Sequence, residues 1–332
     1  MRAKLSLANR VWFKVEAERK NSVNRSLPAS SAPSLLSTLR TTFVFTLAAM
    51  TILAVLLALV GMIEPVWWQV IVLGIVEGVT EFLPISSTAH LLVTAKVLNF
   101  QYSMGGTFEI FIQLGAVLAV VFYYAHDLLA QVRAVGHSTE TRRFWLAILV
   151  AFVPAAVVGL LLRDWIKSYL FASPTLIAAA FIIGGIILIL IERWPPRTVT
   201  HVVEKTTLGQ ALIIGLAQVM ALVPGASRSA SSIVGGMLAG LDRRSATAFS
   251  FYLAIPTLGA ATVVDLLGSL HGLTARDGMY LLVGLFVSFL TACLSIDWLL
   301  RYVSHHPFVA FGVYRIGAGL LVLFLVAIGW LV

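Results

Sequence analysis

A chain of 332 residues that is 59% hydrophobic and 11% charged, with a mean hydropathy of +0.96, is not a soluble domain, since such domains carry about 25% charged residues. Repeated apolar runs of about 20 residues make it an all-α polytopic membrane protein, and exclude a β-barrel, whose strands alternate over roughly ten residues. The net charge of +8 is concentrated, with +6 on residues 1–41 and +2 on the rest, and the single cysteine, Cys293, excludes an intrachain disulfide.

Residues 1–41 read as a flexible basic arm, with linker composition at 26–38 (SLPASSAPSLLST). Anionic lipid on the cytoplasmic side suits such an arm better than nucleic acid does. Residues 43–63 are uncharged, so 42–64 reads as one extra N-terminal transmembrane helix, an uncleaved signal anchor. From 65 to 332 the chain reads as a membrane-embedded domain with halves at about 65–191 and 205–332. Each half opens with two short apolar pieces: 66–81 and 85–98, split at Pro84, then 208–223 and 229–240, split at Pro224-Gly225. Pieces of about 14–16 residues make roughly 21–24 Å of helix against a hydrocarbon core of about 30 Å. Each pair therefore reads as a re-entrant hairpin, whose irregular turn must be buried in protein or line a cavity. Three full spans follow each hairpin, at 107–125, 144–162 and 171–191, and at 246–268, 279–300 and 309–332.

The halves are weakly alike. Gly74, Glu77, Pro84 and Ser87 match Gly215, Gln218, Pro224 and Ser227 with a one-residue gap. An odd number of spans lies between the hairpins, so they enter from opposite faces, which is an inverted repeat. With the arm in the cytoplasm, the cytoplasmic loops hold nine basic residues (Arg133, Arg142, Arg143, Arg193, Arg197, Lys205, Arg243, Arg244, Arg301) and the opposite loops three (Arg163, Lys167, Arg276). That bias fixes the orientation and brings the first hairpin in from outside.

Two polar islands interrupt the apolar sequence. GIVEGVTEFLPISSTAH at 74–90 carries Glu77, Glu81, Thr80, Ser86, Ser87, Thr88 and His90. PGASRSASS at 224–232 adds Ser227, Arg228 and Ser229. Polar groups at membrane depth are costly, so function is their default explanation. Glu77 and Glu81, four apart, share a helical face, and two such carboxylates favour a shared proton or a bound cation. Mg²⁺ or Ca²⁺ suits oxygen ligands of this kind; a buried pair that only packs helices is the plainer alternative. Ser87 can be a nucleophile, a phosphate ligand or a helix cap, and His90 an acid, a base or a nucleophile. Arg228, at the start of a short helix, offers a phosphate-matching fork beside free N–H groups. Together these suit phosphoryl transfer or hydrolysis on an amphiphile whose tail stays in lipid. Arg315, Asp265 and Asp297 read as structural intramembrane pairs. No Walker loop, CxxC or HExxH motif is present.

EGVTEFLPISSTAH and PGASRSASS closely resemble the two signature motifs of the undecaprenyl-diphosphate phosphatase family, the bacitracin-resistance proteins, over residues 65–332. The resemblance implies hydrolysis of undecaprenyl diphosphate to the monophosphate and phosphate, recycling the lipid carrier of peptidoglycan synthesis. It implies a divalent cation and a site open to the periplasmic side of the bacterial inner membrane. Carried over by motif, Glu77 and Glu81 are the essential acids and metal ligands, with Glu81 also a candidate base. Ser87 and His90 are rival nucleophiles, and Arg228 holds the diphosphate, helped by Ser86, Thr88, Ser227 and Ser229. Ala89, Ala230 and Ser232 depart from the family pattern, which has Gly, Gly and Thr there; the first two question backbone conformation more than chemistry. The implied partners are the polyprenyl diphosphate and membrane lipid, not nucleic acid, with a homodimer left open. The competing reading is a polyprenyl-phosphate transporter or flippase on the same inverted repeat. A histidine-nucleophile membrane phosphatase is disfavoured, because its Lys-then-Arg-Pro and SRxxxxxH segments are missing.

Overall fold

The computed structural model describes residues 65–101, 107–170, 173–269 and 274–331; the arm at 1–41 and the extra span at 42–64 lie outside the described residues. The first hairpin is α1 (Pro65–Thr80), a turn, and α2 (Ser87–Val97). α3 (Thr107–Tyr123) then bends by 69° into α4 (Ala125–Ala134), so the expected span 107–125 closes at Tyr123 and turns aside. α5 (Thr139–Leu161) starts where the Ser138 hydroxyl accepts the Thr141 N–H. α6 (Pro174–Arg193) starts on a proline capped by Ser173, a position where the missing N–H costs nothing. Trp194-Pro195-Pro196 then ends it.

The second hairpin opens with α7 (Leu208–Val219), set by a reciprocal Thr207–Gln210 capping box. A 3-10 turn at Met220–Leu222 leads through Pro224-Gly225 to α8 (Arg228–Leu238). α9 (Arg243–Ser269), α10 (Ala275–His305) and α11 (Val309–Ala327) complete the chain, and Thr274 and Asp277 form the capping box of α10. Among the described residues, five helices are long and apolar enough to cross a membrane, or six if α3 and α4 count as one bent span. Their outer faces carry exposed apolar side chains such as Leu161, Phe122, Leu282 and Phe324. Such a surface suits lipid and not water.

The first arm of each hairpin packs on a helix of the other half, α1 against α10 and α7 against α5. Glycines permit the approach. A Cβ at Gly215 would lie 2.5 Å from the Ala151 carbonyl oxygen of α5, and one at Gly78 would lie 2.4 Å from the Ser288 carbonyl oxygen of α10. α3 packs on α9 and α6 on α11. The largest buried apolar cluster joins Phe82 of the first turn to Val120, Phe144, Ile214, Ile233 and Phe249, so the first turn sits against the centre of the fold.

The two hairpins share local geometry residue by residue, without the expected gap. Each breaks at a serine with positive φ, Ser86 (φ 69, ψ 98) and Ser227 (φ 74, ψ 118). Each second arm ends alike: the N–H groups of Leu98 and Ala239 bond to Thr94 and Gly235, and those of Phe100 and Leu241 to Ala95 and Gly236, around positive-φ Asn99 and Gly240. These are left-handed helix terminations of the Schellman kind. Ser86 therefore matches Ser227, and Ser87 matches Arg228. The prolines do not align, because the turns share a backbone conformation and not a residue type.

Candidate functional site

The two turns meet. Glu81 follows the last residue of α1 and keeps its helical bond, its N–H donating to the Glu77 carbonyl at 2.9 Å. Its carboxylate is the hub of the site. Oε2 accepts the Ser87 hydroxyl at 2.5 Å, and Oε1 accepts Arg228 Nε at 3.2 Å. The side chains of Arg228 and Glu81 are only 9% and 6% exposed, so this pair sits where charge interactions are weakly screened. Arg228 Nη1 donates to the Ser250 carbonyl at 3.0 Å, while Nη2 is buried with no hydrogen-bond partner.

Glu77 differs from Glu81. It is 0% exposed, and neither carboxylate oxygen has a hydrogen-bond partner. Buried carboxylate oxygens are normally satisfied, so an orphaned pair asks for an explanation such as an ion. At the matching position the second half has neutral Gln218, whose Nε2 reaches Thr257 Oγ1 at 3.4 Å. Among the described residues no group of three or more His, Cys, Asp or Glu side chains is gathered to hold a metal. The described residues therefore offer a cation at most two carboxylates here. That fits a hard ion such as Mg²⁺, which commonly takes one or two carboxylates and completes its shell with phosphate oxygens and water.

The helix starts differ from expectation. α8, which begins with Arg228, is capped by its own chain: Ser227 Oγ accepts the Ala230 N–H at 3.1 Å. α2, which begins with Ser87, has no side-chain cap from Ser86. The α2 start thus has no first-turn N–H taken by a side-chain cap, whereas the α8 start has one taken. Ser86 is buried and Thr88 half-buried in this same turn. The hydroxyls of Ser229 and Ser232 in the second island are committed elsewhere. Ser229 donates to the Phe82 carbonyl at 2.6 Å, fastening one turn to the other, and Ser232 donates to the Arg228 carbonyl at 2.8 Å and to Ser250 Oγ at 2.7 Å.

His90 lies one turn into α2, but its ring makes no bond to Ser87. Nδ1 is 2.7 Å from the Ser86 carbonyl oxygen and Nε2 is 2.6 Å from the Tyr314 hydroxyl.

Asp297 pairs with Arg301 and not with Arg315, the neighbour of Tyr314; the Asp265 side chain lies outside the described residues. The Arg315 guanidinium is 0% exposed and spreads its five N–H donors over five backbone carbonyls. These belong to Pro84 of the first turn, Gly225 and Ala226 of the second, and Ala180 and Phe181 of α6, at 2.8 to 3.3 Å. Sequence reasoning missed Arg315, Tyr314 and Ser250 as parts of this site. The only signal was a Tyr-Arg pair inside an otherwise apolar span.

The family model of bacitracin resistance protein BacA matches residues 70–321, which include both turns, the part of α11 that carries Tyr314 and Arg315, and every polar residue of the site. The chain is similar to curated proteins named undecaprenyl-diphosphatase. One from Deinococcus radiodurans is 47% identical over 266 residues, 79% of this chain and 96% of its own length. One from Nitrosospira multiformis is 47% identical over 253 residues, 76% and 92% of the two chains. One from Deinococcus deserti is 45% identical over 267 residues, 79% and 96%. With the family match covering most of the described fold and these relatives covered almost end to end, the chain belongs to the bacitracin resistance protein family.

Proposed function

We infer that the chain is an undecaprenyl-diphosphate phosphatase of the bacterial inner membrane, releasing phosphate from undecaprenyl diphosphate and returning the monophosphate carrier to cell-wall synthesis. The observation that carries the mechanism is the buried chain of contacts from Ser87 through Glu81 to Arg228, which joins a hydroxyl, a base and a cation across both turns. The enzyme names of the relatives do not favour the carrier reading.

Ser87 is the nucleophile in this reading, because its hydroxyl already donates to a carboxylate while both His90 nitrogens are engaged elsewhere. Ser87 Oγ attacks the terminal phosphorus and its proton passes to Glu81 Oε2. The bond from that phosphorus to the bridging oxygen breaks, and undecaprenyl phosphate leaves with the electron pair. Water then attacks the phosphoserine, the Ser87 oxygen recovers its proton from Glu81, and inorganic phosphate departs. The uncapped N–H groups at the start of α2 and the free Nη2 of Arg228 face the charge that builds on the phosphoryl oxygens. Glu77, with Glu81, would hold the divalent cation (Mg²⁺ or Ca²⁺). When bound, that ion neutralises diphosphate charge and the carboxylate excess that Arg228 alone leaves uncompensated.

The same reading takes the domain as residues 65–332 and its halves as an inverted repeat. Its support is the exchange pattern, α1 on α10 answered by α7 on α5, with like helices α3 and α9, and α6 and α11, packed on each other. It also places the site toward the periplasm, on the nine-to-three excess of basic residues in the loops assigned to the cytoplasm.

The test is phosphate release from undecaprenyl diphosphate by the purified full chain in detergent, with Mg²⁺ or Ca²⁺ and with chelator. Cation-dependent release is expected, falling to background for Ser87→Ala and by about 10²–10³-fold for Arg228→Ala, the usual cost of one charge-stabilising donor. Near-wild-type release by Ser87→Ala would remove the serine mechanism, and no release from the folded wild type would remove the hydrolase.

A further inference from the structure

α11 sets Tyr314 beside His90, and the arrangement goes beyond contact. The Tyr314 hydroxyl is 2.6 Å from Nε2, and the two rings stack with centroids 5.7 Å apart at 8°. Phe181 of α6 lies against the imidazole from another direction, at 5.6 Å. On the other edge, Nδ1 is 2.7 Å from the Ser86 carbonyl oxygen.

Donor logic fixes the proton. A carbonyl oxygen only accepts, so the bond to Ser86 requires the hydrogen on Nδ1. In the neutral imidazole Nε2 is then bare, and the Tyr314 hydroxyl must donate to it. Ser86 is the positive-φ residue of the first turn, so its carbonyl is aimed by the same backbone conformation that starts α2 under Ser87. The ring is therefore gripped by the turn at one nitrogen and by α11 at the other. Arg315, the next residue of α11, bonds the carbonyls of both turns, so Tyr314 is carried on the segment that sets the turns' positions.

We propose that Tyr314 is a positioning residue of this site, whose hydroxyl holds His90 as the Nδ1–H tautomer with Nε2 as the proton acceptor, turned away from Ser87. The proposal rests on the hydrolase reading above. It gives His90 a defined part there. Ser87 delivers its proton to Glu81, and the imidazole, held at both edges, braces the start of α2 that carries Ser87. Tyr314 is about half exposed.

The experiment combines imidazole ¹⁵N NMR of the full chain in liposomes with turnover in detergent. The His90 signals are identified by their loss in His90→Gln. Wild type should show one protonated nitrogen and one bare, hydrogen-bonded nitrogen. Tyr314→Phe keeps the ring and removes only the donor. Its bare-nitrogen signal should move to that of an unbonded imine, and kcat should fall by about tenfold with KM unchanged within about twofold. That is a fraction of the 10²–10⁴ that a positioned acid or base contributes. Incorporating 3-fluorotyrosine at 314, which retains the hydroxyl, should restore both. An unchanged imine signal or an unchanged kcat in Tyr314→Phe overturns the proposal, as does failure of the fluorotyrosine protein to recover. Wild-type turnover by His90→Gln would instead strike at the catalytic place of His90, while the NMR comparison still judges the bond to Tyr314.

Discussion

Replacing Arg315 by Met removes every donor while keeping a long side chain. Five backbone carbonyls lose a partner. Those of Ala180 and Phe181 lie inside α6 and keep the helical N–H four residues on. The carbonyls of Pro84, Gly225 and Ala226 lie in the turns and are orphaned. In a bilayer a side-chain hydrogen bond averages about 0.6 kcal/mol, which sets a lower bound of about 2 kcal/mol for three. An orphaned buried acceptor costs about 1–3 kcal/mol, which sets an upper bound of about 9 kcal/mol. Relief from burying a charge with no carboxylate beside it pulls toward the lower figure. Even that figure lowers Tm by roughly 4–8 °C for a domain of this size. Because the lost bonds hold both turns, turnover should fall with stability, and should stay low at temperatures where Arg315→Met is still folded. Arg315→Lys, with three donors for five acceptors, should fall between the two. Thermal unfolding in detergent, followed alongside phosphate release, decides it. An Arg315→Met protein with the Tm and turnover of wild type would refute the view that this side chain holds the turns together.

The packing of α7 on α5 is tested by Gly215→Ala. The new methyl would lie 2.5 Å from the Ala151 carbonyl oxygen, and overpacking of this kind costs about 1–3 kcal/mol, read as a lower Tm with the substrate's KM unchanged. The unequal helix starts give a paired test. Ser227→Gly removes a cap and Ser86→Gly removes none. Both substitutions relieve a positive φ, a gain of up to about 1 kcal/mol, but Ser227→Gly also gives up its cap, a few tenths of a kcal/mol, so Ser227→Gly should gain less than Ser86→Gly. Equal Tm shifts in the two proteins would contradict the capping difference.

The hairpins were legible because their signals are local. Pro84 and Pro224-Gly225 interrupt apolar runs too short to span, and the observed breaks fall within a few residues of them. Glu77, Glu81, Ser87 and Arg228 stood out because polar groups in such sequence are rare, and the fold brings Glu81, Ser87 and Arg228 into direct contact. Arg315 was visible but misread. A buried arginine suggests a carboxylate partner, and backbone carbonyls leave no mark in the sequence. Ser250 was invisible for a related reason: it is ordinary in its own helix and gains meaning only from a neighbour far away in the chain, while Tyr314 showed only as the neighbour of Arg315 in an apolar span. The register between halves slipped by one because proline was matched to proline, whereas the turns share the backbone angles of Ser86 and Ser227. Which helix start was free for an anion depended on one hydroxyl's rotamer, which no residue pattern encodes.

The crossed packing of α1 on α10 and α7 on α5 also dictates an order of events during synthesis. α1 leaves the ribosome with Glu77 already in it, but the helix that walls it in begins only at Ala275. At about 5–20 residues per second that wait is roughly 10–40 s. During this interval the first hairpin is a short apolar segment whose buried carboxylate still lacks its helix partner. By contrast, α5 is already in place when α7 emerges, so the second hairpin docks as it is made. The wall around the buried Glu77 is therefore complete only once α10 has been made. A ribosome stalled before Ala275 would leave a product marked for degradation by its unburied carboxylates.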